Sequence, residues 1–180
     1  MNRNVTSNIL ILGIGNILLG DEGAGIRVIE RFAQRFSVPS GVDVVDGGTA
    51  GMRLLDILAG RGRVIVADAV KAPQPPGTLV RLVDAEVPAL FENRLSPHQL
   101  GFADVLAALD LMDQVPAQLI VIGIVPARIE LEVRMSRQVD EAVDHAVEAV
   151  ADQLCSWGCR LEPSVQGGRR DSPGLRSDAS

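Results

Sequence analysis

Short, solidly aliphatic runs alternate with longer stretches in which apolar residues recur every three to four positions. No other feature restricts the fold of this chain as much. The runs from Asn8 to Ile14, Val64 to Val66 and Leu119 to Val125 are apolar on both faces, the mark of parallel strands covered by helices on each side. Val42 to Val45 and Thr78 to Val83 read as further strands, the second opening after the turn signal Pro75-Pro76-Gly77. Between the runs lie helical stripes: Ile26, Ile29, Phe32 and Phe36; then Met52, Leu55 and Leu58; then Phe102, Val105, Leu106 and Leu109. A last stripe, Val139, Val143, Val147, Val150 and Leu154, is predicted to end at Gly158. Strand–helix alternation of this kind implies an α/β fold. It is a single-domain three-layer sandwich, with a mostly parallel twisted sheet of about five strands and helices on both faces.

The length of 180 residues fits one domain. A domain of that size buries roughly 70% of its unfolded surface, so its core needs no covalent staples. The predicted domain covers residues 1–162. From Pro163 to Ser180 the chain has four Ser, three Gly and two Pro, too little apolar surface for packing, and a disordered tail is expected there. The net charge of -6 and the pI near 4.9 repel phosphate backbones. Aromatic residues are only 3% with no Tyr, so nucleic acid is not an expected partner. Two cysteines, Cys155 and Cys159, exclude a disulfide scaffold and suit a reducing compartment. They read as small apolar residues on the last helix. No apolar run reaches the ~18 residues of a membrane span. Arg3 precedes the first aliphatic run, but no small-residue cleavage site follows it. The run is therefore a buried strand rather than a leader, and the cytoplasm is the default location.

Open α/β sheets bind ligands beyond the carboxyl ends of their strands. The first strand leads into Gly13-Ile14-Gly15-Asn16-Ile17-Leu18-Leu19-Gly20-Asp21-Glu22-Gly23, the second ends at Asp46-Gly47-Gly48-Thr49, and the third ends at Asp68. One edge thus gathers Glu22, Asp46 and Asp68. The glycine spacing is not that of a dinucleotide loop, Asp21-Glu22 would repel a pyrophosphate, and Gly-Lys-Ser/Thr is absent. Asp21 is expected to cap the helix that follows it, leaving Glu22 to face the cleft. His98 lies in Ser96-Pro97-His98-Gln99, a capping box with Pro at the first helical position. In that first turn the helix dipole disfavours imidazolium, and neutral imidazole is the form that binds metal. An ordinary surface or core His is the alternative. His145, among Asp140, Glu141, Asp144 and Glu148, reads as part of a solvated face. Glu22, Asp68 and His98 could together hold a borderline divalent metal such as zinc or nickel with open positions. No Gly-x-Ser-x-Gly or matched nucleophile and base occurs.

Four ordered motifs carry a family resemblance: Gly13-Ile14-Gly15-Asn16-Ile17-Leu18-Leu19-Gly20-Asp21-Glu22-Gly23, Asp46-Gly47-Gly48-Thr49-Ala50-Gly51, Ala67-Asp68-Ala69 and Ser96-Pro97-His98-Gln99-Leu100-Gly101. Over about residues 8–158 the chain resembles the nickel–iron hydrogenase maturation endopeptidases, and in wording it is most similar to members serving uptake-type hydrogenases. The resemblance implies an aspartyl-type protease that removes a C-terminal extension from the hydrogenase large-subunit precursor after nickel insertion. It implies that Glu22, Asp68 and His98 are the catalytic residues that meet the nickel. It also implies that the metal is supplied by the substrate with no permanent metal in the protease, and that the protein is a monomer. Residues 86–95, with Val87, Leu90 and Phe91, are either an apolar lip for the extension or core. Two other readings stay open on the residues alone: a nickel-binding checkpoint or chaperone that docks the large subunit without cutting it, and a nucleotide-binding domain.

Overall fold

The computed structural model describes residues 8–88 and 97–164, with the backbone alone for 97–101. The first aliphatic run forms β1 (Ile9–Ile14), buried along its whole length. A 3-10 turn (Gly20–Gly23) leads into α1 (Ala24–Arg35), followed by β2 (Phe36–Ser37) and β3 (Val42–Gly48). A second 3-10 turn (Gly51–Arg53) runs into α2 (Leu54–Leu58), then β4 (Arg63–Ala69) and β5 (Leu79–Val83). After a third such turn (Asp84–Glu86) come α3 (Pro97–Leu111), β6 (Gln118–Ile124), α4 (Arg137–Ser156) and β7 (Glu162–Pro163).

Five strands make one sheet in the order β3-β1-β4-β6-β5. Four run parallel, and β5 pairs antiparallel with β6 at one edge. The strand period of two splits the core into two layers. Ile9, Ile11, Ile65, Ala67, Ile120 and Ile122 face α1 and α4, where Val28, Phe32, Val143, Val147 and Val150 meet them. Leu10, Leu12, Val64, Val66, Leu119 and Val121 face α2 and α3, packing on Leu54, Leu58, Phe102, Val105 and Leu109. This is the three-layer sandwich that the alternating pattern predicts, and continuous burial on both faces is why the central strands β1, β4 and β6 lack a polar side.

Several local readings need correction. The first stripe stops short of Phe36, because the chain turns extended there and pairs with β7. Met52 is 53% exposed, and Leu54 takes its place in the core. Residues 51–53 form a tighter 3-10 turn, so the helical period starts only at Leu54. Cys155 is exposed on α4, and half-buried Cys159 lies beyond the helix end, so neither is a fully buried filler. The end itself falls where expected: Gly158 adopts φ 87°, and Cys159 N–H donates to Leu154 O at 3.0 Å. Val87 is fully buried against the α2–α3 layer, so it is core and not lip; Leu90 and Phe91 lie outside the described residues. Pro163 pairs with Phe36 in the small β2–β7 sheet, and the remainder of the expected tail, 165–180, also lies outside them. No described helix is long and apolar enough to cross a membrane.

Candidate active site

The chain order creates one distinctive place in the sheet. From β1 the chain moves to β3 on one side, whereas from β4 it moves to β5 and then β6 on the other. The connections therefore diverge between β1 and β4, and a crevice opens at their carboxyl ends. Gly13 of β1 pairs with Ala67 of β4, one residue before Asp68. The turn Gly20–Gly23 that follows β1 packs onto β4. Glu22, in the turn after β1, and Asp68, near the end of β4, thus stand on the two sides of the switch point, and both are buried.

Small residues make this approach possible. Gly15 has φ 137°, and a Cβ there would lie 2.0 Å from the Glu22 carbonyl oxygen. A Cβ at Gly25 would lie 2.1 Å from Ala67 O and 2.3 Å from Ile14 O. The start of α1 therefore rests directly on the ends of β1 and β4. The glycines of the first motif serve backbone closeness around two acids, not a phosphate.

Asp68 follows Ala67, which faces α1 and α4, so the strand period turns its side chain to the α2–α3 side. One of its oxygens, Oδ1, accepts from Ala69 N–H at 2.8 Å. On the same side, α3 feeds β6 over the short connection 112–117 and so runs antiparallel to it. Its first turn, with the backbone of His98, consequently stands at the carboxyl edge of the sheet. Pro97 opens α3 as the capping pattern predicts, while the His98 side chain lies outside the described residues. Among the described residues no three His, Cys, Asp or Glu side chains gather as a metal site. His145 is exposed on α4, as a solvated face requires.

Asp46 lies near the end of β3, level with Gly13, but its side chain is exposed and accepts from Gly48 N–H at 2.8 Å. It shares the edge without joining the two buried acids. Asp21 departs further from expectation. It is buried and does not cap α1, whose N-cap has no side-chain bond. Instead its Oδ2 accepts from Ala127 N–H at 2.8 Å, Arg128 N–H at 3.1 Å and Ser136 Oγ at 2.9 Å, and its Oδ1 accepts from Ser136 N–H at 2.6 Å. Asp21 thus binds the turn carrying Glu22 to the loop between β6 and α4. These partners lie over a hundred residues away; the signal in the sequence is only an acid in a turn with a second acid beside it.

The fold and these residues define a class: an open α/β sandwich with two buried acids, Glu22 and Asp68, beside its switch point. The comparisons with known proteins narrow it. A family model for hydrogenase maturation protease matches residues 26–153. The hydrogenase 2 maturation protease of Escherichia coli is 44% identical over 156 residues, covering 86% of this chain and 95% of that protein. The hydrogenase expression/formation protein HupD of Rhodobacter capsulatus is 40% identical over 159 residues, covering 85% and 74%. Among solved structures, the hydrogenase maturating endopeptidase HybD from E. coli superposes with a TM-score of 0.85 at 44% identity, covering 88% of this chain and 99% of that one. The [NiFe] hydrogenase maturation protease HybD from Thermococcus kodakarensis gives 0.66 at 30% identity, covering 82% and 98%. The chain belongs to the hydrogenase maturation protease family, and it is an endopeptidase.

Proposed function

We propose that this endopeptidase removes the C-terminal extension of the nickel-loaded [NiFe] hydrogenase large-subunit precursor, and that Glu22, Asp68 and His98 recognise the inserted nickel. The observation that carries this reading is the placement of two buried acids, Glu22 in the turn after β1 and Asp68 near the end of β4, beside the switch point of the sheet, with the first turn of α3 at the same edge. Two carboxylates and an imidazole suit a borderline divalent ion and leave positions for the precursor's own ligands. The nickel belongs to the substrate and supplies Lewis acidity next to the scissile bond. The protease contributes the remaining donors, so it grips only a loaded precursor, and specificity is the difference in affinity between loaded and empty forms.

In this reading the attacking nucleophile is a water. One of Asp68 and Glu22 orients it and accepts its proton, which makes the enzyme aspartyl-type in the chemical sense. A protein with this role works on a folded client in the cytoplasm as a monomer, with no resident metal.

Purified enzyme incubated with nickel-loaded precursor shortens it, and precursor lacking nickel stays intact. Asp68→Ala and His98→Ala fold normally and let uncleaved precursor accumulate. Full processing by both variants overturns the site. A wild-type protein that binds loaded precursor without shortening it would instead favour a non-cutting checkpoint.

A further inference from the structure

Three large aliphatic side chains stand in water beside Glu22: Ile17 at 41% exposure, Leu18 at 54% and Leu131 at 86%. Isolated exposed aliphatics are common, but these sit on two segments bonded to one another. Glu132 N–H donates to Leu18 O at 3.0 Å, and Gly20 N–H donates to Glu132 O at 2.6 Å. The first segment is also braced within itself, with Leu18 N–H on Asn16 Oδ1 at 3.0 Å and Leu19 N–H on Asn16 O at 3.1 Å. The second is held on both sides of Leu131, at residues 127–128 and at 136, by the buried Asp21 carboxylate. The apolar side chains are thus displayed from a fixed frame, and Glu22 N–H bonds back to Leu19 O at the end of it.

We infer that Ile17, Leu18 and Leu131 form a docking surface that seats an apolar face of the large-subunit precursor next to the acids. This rests on the function proposed above. An endopeptidase must bring a polypeptide to its cutting edge, and exposed Leu18 lies four residues before Glu22, next to Leu19, whose carbonyl oxygen accepts from Glu22 N–H at 3.3 Å. Its neighbouring charges balance, Arg128 pairing with Glu132 at 2.8 Å and Glu130 offset by Arg134 in the same loop, so the segment offers contact area and not a net charge. The complementary partner surface is therefore aliphatic rather than basic or acidic.

The test compares Leu18→Glu and Leu131→Glu with Leu111→Glu. Leu111 is 89% exposed but ends α3, just before β6 begins, on the opposite edge of the sheet. All three changes are on the surface and leave the melting temperature unchanged. With nickel-loaded precursor as substrate, Leu18→Glu and Leu131→Glu raise KM about tenfold or more and leave kcat near wild type, whereas Leu111→Glu changes neither. Unchanged KM in both edge variants, or an equal rise in Leu111→Glu, overturns the docking surface. A Glu22→Gln comparison separates the two ideas. If the acid site is wrong and the surface right, Glu22→Gln cleaves at the wild-type rate while Leu131→Glu still loses affinity. If the surface is wrong and the site right, the pattern reverses.

Discussion

Asp21 takes two hydrogen bonds from Ser136, one from the backbone N–H at 2.6 Å and one from the hydroxyl at 2.9 Å. Ser136 is also the residue that opens α4. Its hydroxyl does not cap its own helix, and the aspartate from the other end of the sheet connection occupies that region instead. Hydrogen bonds to a buried carboxylate are among the stronger ones, and donors left without it keep their desolvation cost. Asp21→Ala is expected to lower unfolding free energy by about 3 kcal/mol or more, and Ser136→Ala, which removes only the hydroxyl, by about 1 kcal/mol. Urea unfolding of both single variants and the double variant checks this. Because the two share a network, the double variant should lose less than the sum.

The close seating of α1 on the strand ends makes Gly25 a second point of leverage. A methyl there meets two backbone carbonyl oxygens, Ala67 O and Ile14 O, which cannot swing aside as a side chain can. Gly25→Ala is expected to cost about 3 kcal/mol through overpacking. It also pushes the turn bearing Glu22 away from β4. Cleavage measured well below the melting temperature should therefore fall by more than the unfolded fraction explains.

A different magnitude applies to the ion pairs between α1 and α4. Arg31 bridges Asp140 and Asp144, and these acids hold its guanidinium further above its usual range despite an opposing effect of burial. Both carboxylates are more than half exposed, so solvent and salt screen the gain. Arg31→Ala should cost no more than about 1 kcal/mol, and the difference from wild type should shrink in 1 M salt. Thermal melts at two salt concentrations test this.

Burial pushes the Cys159 thiol above its ordinary range; the neighbouring Cys155 adds to the rise and Arg63 opposes it. A raised acid favours its neutral form in the folded state. The stability it contributes is present below the unfolded thiol value and is lost as pH rises through the folded one. Near pH 8 a thiol-alkylating reagent should modify exposed Cys155 before half-buried Cys159, and the gap should narrow as the pH is raised. Peptide mapping after brief alkylation reads out both sites.

What could be read from the sequence was what depends on period. Aliphatic runs marked the central strands β1, β4 and β6, because burial on two faces leaves few polar positions there, and shorter apolar stretches marked the edge strands β3 and β5. The stripes Phe102–Leu109 and Val139–Leu154 marked the two long helices. The acids at strand ends, Glu22 and Asp68, followed from the rule that open sheets keep their ligands at the carboxyl edge. Local geometry misled at Met52, where a 3-10 turn delays the helical period, and at Phe36, where the chain leaves the helix within one residue. Asp21 misled for another reason: a short-range cap and a long-range tie use the same residue type. Only the fold brings Ala127 and Ser136 to it.

The small β2–β7 sheet also bears on how this enzyme can be handled. Phe36 and Ser37 directly follow α1, which starts beside the acids and returns across the molecule, and Ser164 N–H donates to Arg35 O at 2.9 Å. Ser164 therefore lies on the side remote from the carboxyl edge that carries Glu22 and Asp68. A tether attached at Ser164 would hold the protease by its back and keep that edge clear.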